Sequence, residues 1–325
     1  MYTGLKGKHL IYEQEWEKEE LEAVLDMALE FKKLRALKQP HKYLDGRTLF
    51  LLFFEESTRT RNAFETGITQ LGGHANYLIP KLTQIDHGEG PKDTVEVLSR
   101  YGEGIGIRNT AWGIGNRYMR ELAKYSRIPV INLQCDLFHP TQALADLLTL
   151  KEKLGDLRGR KFVMSWTYAP KYVRPISMPQ SIITLMTRFG LDVTLAHPPE
   201  FFLLPDIVEQ ARENARKAGS RFEIVHDMEE AFKDADVIYA KSWGALAYTQ
   251  DEPTILQLIE KYPHWKVTEQ GMQLTREDSK YMHCMPIDRG IEVENAVADG
   301  PHSVIYDEAE NRLHIAKAIM ALTME

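Results

Sequence analysis

Residues 53–66 read FFEESTRTRNAFET. An apolar run ending at Phe54 meets two glutamates, and the next five positions are Ser57, Thr58, Arg59, Thr60 and Arg61. Apolar runs of this length that give way abruptly to polar residues read as buried strands. FETGITQLGG then carries a helix on, which puts Ser57 at the expected N-cap. A helix start offers unpaired N–H groups and the positive end of a dipole. Two fixed cations and three hydroxyls beside it make a phosphate cradle at a strand end. The plainer alternative is a capped helix with solvated arginines.

Seven more short apolar runs follow: GIGIR (104–108), PVINLQ (129–134), KFVMSWTY (161–168), DVTLAH (192–197), EIVH (223–226), DVIYAK (236–241) and KYMHCM (280–285). Amphipathic stretches such as PQSIITLMTRFG and DIVEQARENARKAG lie between several of them. That alternation implies βαβ units and parallel sheets. Eight runs in 325 residues point to two α/β domains, each a mostly parallel sheet flanked by helices. The expected boundary follows Asp136, giving a first domain of residues 1–137 and a second of 138–308. Residues 309–325, with Leu313, Ile315, Ile319 and Leu322 near helical spacing, form a closing helix expected to pack back on the first domain.

Composition narrows the function classes. Hydrophobic content of 43% supports real cores, and a net charge of −7 argues against nucleic acid or anionic membrane as partner. Any anion must therefore be held by a local basic pocket. The start, MYTGLKGKHLIY, lacks the pattern of a signal peptide, and no run approaches 18 apolar residues, so a cytoplasmic protein is expected. Cys135 and Cys284 suit neither a disulfide framework nor a zinc site. There is no G-x-x-x-x-G-K-[ST], and GIGIRN lacks the third glycine of a dinucleotide fingerprint. No metal and no cofactor is expected.

Other blocks fit the cradle. Arg108 closes GIGIR, His139 and Gln142 stand in HPTQ after PVINLQ, HCMP (283–286) ends another run, and Arg312 lies in ENR. An Arg, a His and a Gln aimed at one carbonyl would polarise it and hold an oxyanion. STRTR, the strand-end Arg, HPTQ, HCMP and the late ENR together, in this order, resemble the aspartate/ornithine carbamoyltransferase family over nearly the whole chain. The resemblance implies that Ser57, Thr58, Arg59 and Thr60 hold the phosphate of carbamoyl phosphate. Arg108, His139 and Thr60 would be the catalytic group that polarises the carbonyl. Gln142 and the backbone around Cys284 and Met285 would bind the carbamoyl NH2, with Arg312 completing the pocket and Arg61 serving structure. QIDHGEGPKDTVEVLSR resembles the family's loop into a neighbouring subunit, so Gln84 becomes a contact made in trans, with His87 and Lys92 less directly implicated. A homotrimer follows from that reading.

The acceptor is less legible. Where ornithine enzymes carry an aspartate for the α-ammonium, this chain has Lys241, then Ser242 and Trp243. A lysine repels a free ammonium and attracts a carboxylate. The arginine that aspartate enzymes place after the late His-Pro motif is also missing, since HCMP runs into Ile287 and Asp288. TYAPKYVRPISMPQS and KSWGA are similar to the knotted branch acting on N-acetylornithine or N-succinylornithine, which implies a trefoil knot in the second domain. Lys171, Lys241, Trp243 and Asp288 are the acceptor-side candidates. Asp288 would meet a cationic group of the acceptor or pair with Arg289. Ala169 replaces that branch's histidine, which leaves the acceptor amine unassigned. Catabolic phosphorolysis of a ureido compound, plain ornithine carbamoylation, a non-catalytic subunit and a nicotinamide oxidoreductase stand as alternatives.

Overall fold

The structure, a computed structural model, describes residues 4–325. The chain divides into two compact units: one runs to Leu148 and resumes at Ala309–Glu325, the other is Thr149–Glu308. In the first, strands β1 (Thr48–Phe53), β2 (His74–Leu78), β3 (Gly104–Asn109) and β4 (Val130–Cys135) form a parallel sheet in the order β2-β1-β3-β4. Helices α1 (Lys18–Ala36), α2 (Arg59–Gln70), α3 (Pro91–Leu98), α4 (Gly115–Ala123) and α5 (Pro140–Leu154) accompany it. β1, β3 and β4 are buried almost throughout, as strands covered on both faces must be. β2 was not among the expected strands. It is a partly exposed edge strand, HANYL, whose polar residues hide the apolar signal. The glycines of GIGIR serve packing: a Cβ on Gly106 would stand 2.8 Å from Leu133 Cδ1.

The second unit has a five-stranded parallel sheet in the order β7-β6-β5-β8-β9. Its strands are β5 (Lys161–Ser165), β6 (Asp192–Ala196), β7 (Phe222–Val225), β8 (Val237–Ala240) and β9 (Lys280–Met282). Helices α6 (Ser177–Arg188), α7 (Pro205–Ala218), α8 (Met228–Phe232), α9 (Glu252–Ile259), α10 (Glu269–Met272) and α11 (Asn295–Ala298) connect and flank them. KFVMSWTY stops being a strand at Ser165, because beyond it the chain turns away and Tyr168 N donates to Trp265 O, outside the ladder.

The last helix, α12, spans Ile305–Thr323. Leu313, Ile315, Ile319 and Leu322 are buried, and so are the polar residues between them. In the first unit, Asn311 accepts from Lys32 Nζ of α1 at 2.9 Å, and Lys317 Nζ donates to Gln70 Oε1 of α2 at 3.0 Å.

Each sheet has one place where the strand order reverses. In the first unit the chain leaves β1 for β2 on one side and returns to β3 on the other, so the reversal lies between β1 and β3. In the second it lies between β5 and β8. Open α/β sheets bind ligands at the carboxyl ends of strands at such points.

Candidate active site

In the first unit, STRTR follows β1 and Arg108 sits at the end of β3, the two strands that flank the reversal. The β3–β4 register skips Leu133, pairing Ile107 with Asn132 but Arg108 with Gln134. Such a bulge re-aims side chains at a strand end. Here Arg108 Nη1 donates to Gln134 Oε1 at 2.6 Å. Glu55 ties the two loops together by accepting from Thr110 N at 2.9 Å, and burial raises its carboxyl pKa despite that bond and the nearby Arg108.

Ser57 is not the cap expected of it. α2 begins at Arg59, and the residue before it, Thr58, has helical backbone and makes no side-chain cap bond. The Ser57 and Thr58 hydroxyls therefore stand beside the open helix end without serving it. Arg59 Nε is buried and makes no hydrogen bond. Thr60 is buried, and its Oγ1 accepts from Arg312 Nη2 of α12, so the late ENR block does reach the early STRTR block. His139 immediately precedes α5, at the end of the β4 connection, and its Nδ1 lies 3.4 Å from Thr141 Oγ1. One turn into α5, Gln142 Nε2 donates to Asp146 Oδ1 at 2.7 Å, which fixes the amide. Ser57, Thr58, Arg59, Thr60, Arg108, His139 and Gln142 thus share one edge of one sheet, with Arg312 hydrogen-bonded to Thr60.

Gln84 is exposed in a short 3-10 turn, Gln84–His87, its Oε1 3.3 Å from His87 Nδ1. Lys92 lies over the Tyr125 ring at 5.2 Å. Leu82, in the same segment, is 81% exposed, a large apolar side chain with nothing on it in the single chain.

The second unit gathers a different set at its own reversal. The loops after β5 and β8 meet directly: Gly244 N donates to Arg174 O at 2.9 Å. A Cβ on Gly244 would stand 2.3 Å from Val173 Cγ1, so only glycine lets KSWGA approach the proline-rich loop. Between these loops and the end of β9 lies a buried ionic cluster. Glu292, fully buried, accepts from Thr167 Oγ1 at 3.1 Å, Ser242 N at 3.0 Å and Asp288 N at 2.9 Å. It faces Arg174 Nη1 at 2.9 Å and His283 Nε2 at 3.4 Å. Burial alone would raise its pKa, but His283, Arg174 and Lys241 outweigh burial and hold the carboxyl well below the usual range. His283 Nδ1 accepts from Met285 N at 2.8 Å, which leaves the proton on Nε2 toward Glu292. Burial lowers the His283 pKa against the pull of Glu292.

Arg174 and Glu292 escaped the sequence reading, and His283 entered it only as the first residue of HCMP. An arginine in a proline-rich loop and a glutamate after a glycine carry no local signal; only folding brings them within ion-pair distance. Two expectations are corrected. Asp288 does not pair with Arg289: it binds Arg174 Nη2 at 2.8 Å and Lys171 Nζ at 3.1 Å, while Arg289 pairs with Asp299. The indole of Trp243 does not line a pocket. It is fully buried and donates through Nε1 to Phe201 O at 2.8 Å, supporting the loop from behind. Lys241 is almost buried, and Cys284 is a partly exposed free thiol beside Met285, whose φ of 57° is unusual for a residue with a side chain.

Comparison with known proteins decides the family. Residues 8–152 match the sequence profile described as aspartate/ornithine carbamoyltransferase, carbamoyl-P binding domain, and residues 176–323 match that of the Asp/Orn binding domain. The chain belongs to the aspartate/ornithine carbamoyltransferase family. YgeW of Escherichia coli (strain K12), named a carbamoyltransferase with no acceptor in the name, is 39% identical over 94% of this chain and 87% of its own. The N-acetylornithine carbamoyltransferase of Xanthomonas campestris pv. campestris is 38% identical over 97% of both chains. A crystal structure of acetylornithine transcarbamylase complexed with acetylcitrulline superposes with a TM-score of 0.90 at 37% identity, covering 98% of this chain and 99% of that one. Among the described residues no helix is long and apolar enough to cross a membrane, and no cluster of His, Cys, Asp and Glu could hold a metal ion.

Proposed function

We propose that the protein transfers the carbamoyl group of carbamoyl phosphate to the amine of a small amino-acid-like acceptor and releases phosphate. The observation that carries this reading is the convergence of Ser57–Thr60, Arg108, His139 and Gln142 on the reversal edge of one sheet, with Arg312 bonded to Thr60. The first unit, which runs on past the expected boundary at 137 to Leu148 and includes 309–325, serves as the carbamoyl-phosphate domain, and Thr149–Glu308 serves as the acceptor domain. Ser57, Thr58, Arg59 and Thr60 grip the phosphate with the N–H groups of α2. Arg108, His139 and Thr60 polarise the carbonyl oxygen. Gln142 orients the carbamoyl NH2.

The chemistry needs little more. A neutral amine attacks the carbamoyl carbon, the N–C bond forms, and the oxyanion collapses as the C–O bond to phosphate breaks. The departing phosphate takes the amine proton. Positioning supplies up to about 7–11 kcal/mol and each oxyanion donor about 3–4 kcal/mol. The buried Lys241 disfavours an acceptor with a free α-ammonium, which supports an N-acylated amino acid over plain ornithine. The exposed Leu82 and Gln84 support a segment that docks into a second copy, and we read the active assembly as a cytoplasmic homotrimer. The contact of the proline-rich loop with KSWGA supports the knotted topology of that branch.

The test is an amine panel with carbamoyl phosphate, followed by ureido product and phosphate release. Arg108→Gln should lower kcat by about 10²–10³. A wild-type protein that binds carbamoyl phosphate but turns over no amine in the panel defeats the transferase reading.

A further inference from the structure

We propose that Arg174 reads a carboxylate on the acceptor, and that Asp288 occupies Arg174 in the free protein and gives way when the acceptor arrives. This rests on the transferase reading above and names the class of molecule that the second unit selects.

Arg174 is 3% exposed and stacks its guanidinium 5.0 Å from the Tyr172 ring centroid. Its two counter-charges are unequal. Glu292 is immobile, held by Thr167, Ser242 N and Asp288 N as well as by Arg174. It orients the guanidinium and cannot leave without stranding those donors. Asp288 lies nearer the rim: it accepts from Arg174 Nη2 through one oxygen, and its other oxygen is held by the exposed Lys171. Arg174 Nε, beside that same Nη2, is buried and makes no hydrogen bond. The Nε–Nη2 edge is the fork a carboxylate takes with two parallel bonds. Asp288 uses half of it.

Charge balance points the same way. Arg174, Lys171 and Lys241 stand against two carboxylates, Asp288 and Glu292, which leaves at least one positive charge in surplus. Lys241 is 7% exposed, and its ammonium makes no hydrogen bond or ion pair with any described residue. A nearly buried, unpaired cation beside a half-used guanidinium fork favours an anion and disfavours a second ammonium. The acceptor class is therefore a carboxylate whose only amine is the one that reacts.

The decisive measurement uses N-acetyl-L-norvaline, 3-ureidopropionate and ureidoacetate, each against its own carboxamide, titrated calorimetrically into protein holding carbamoyl phosphate or inorganic phosphate. The wild type should bind at least one carboxylate ten-fold or more tighter than its amide. Arg174→Gln should abolish that preference and Arg174→Lys should restore part of it, with carbamoyl phosphate binding unchanged in both. Asp288→Asn, which keeps the loop but removes the competing charge, should tighten the carboxylate several-fold, and it carries the test if the Arg174 variants do not fold. The assignment is overturned if Arg174→Gln keeps the preference, if Asp288→Asn weakens carboxylate binding, or if the wild type does not distinguish any carboxylate from its amide while still binding carbamoyl phosphate. A wild type that ignores carbamoyl phosphate instead removes the transferase reading beneath it.

Discussion

Glu292 shows how one side chain organises a site from within the protein. Its carboxylate anchors Arg174, takes backbone N–H groups from two loops and faces His283. Removing its charge strands those donors, although Arg174 keeps Asp288. Glu292→Gln should therefore cost about 3 kcal/mol at pH 7, the low end for breaking a buried pair, read from urea unfolding. The pH dependence has a fixed sign. Its folded pKa lies below the unfolded value of 4.5, so its stabilisation is complete above that value and is lost as pH falls through it toward the folded pKa. Wild-type stability should fall more steeply than that of Glu292→Gln between pH 6 and pH 3.5, and parallel slopes would contradict the assignment. Legibility in sequence ran the other way at this scale. Ser57, Arg59, Arg108 and His139 announced themselves because each adjoins a strand end, whereas Glu292 and Arg174 have no such marker.

At the scale of elements, apolar runs located eight strands because strands buried on both faces cannot hide their composition. β2 escaped for the opposite reason, being a half-exposed edge. α12 was legible as a helix through Leu313, Ile315, Ile319 and Leu322, but from Asn311 onward its polar residues are as buried as its apolar ones. Lys317 lies against Gln70 and His41, and burial first, then Arg35, lowers its pKa to about 8. His314, one turn earlier, is pushed down to about 3, by burial and then by Lys317 and other cations. The folded pKa of Lys317 is below its unfolded 10.5, so the unfolded chain binds more protons between these values and stability rises with pH across that window. From pH 7 to 9.5 the wild type should gain about 2 kcal/mol relative to Lys317→Met in urea unfolding. Equal changes in both proteins would show that this lysine is not strained by its surroundings.

At the scale of the whole molecule, two sheets repeat one solution: strands ordered so that the chain reverses, with the side chains proposed to bind ligand at each reversal. Gln84 belongs to neither reversal, and in the proposed trimer it reaches a neighbouring copy. Mixing an inactive Gln84→Ala chain with an inactive Arg108→Gln chain, then unfolding and refolding them together, should restore activity. In a mixed assembly some sites combine an intact Arg108 with an intact Gln84 from a neighbour. If the mixture stays as inactive as its parts, Gln84 acts within its own chain or not at all. The sequence by itself determined the α/β class and the two-part organisation, and it marked the strand-end residues proposed for the donor side, because strand burial and helix starts are written in local composition. Only the tertiary structure assembled the cluster proposed for the acceptor side. Arg174, Lys241, His283, Asp288 and Glu292 come from three separate loops, and their charges act on one another only once folding brings those loops together and shields them from water.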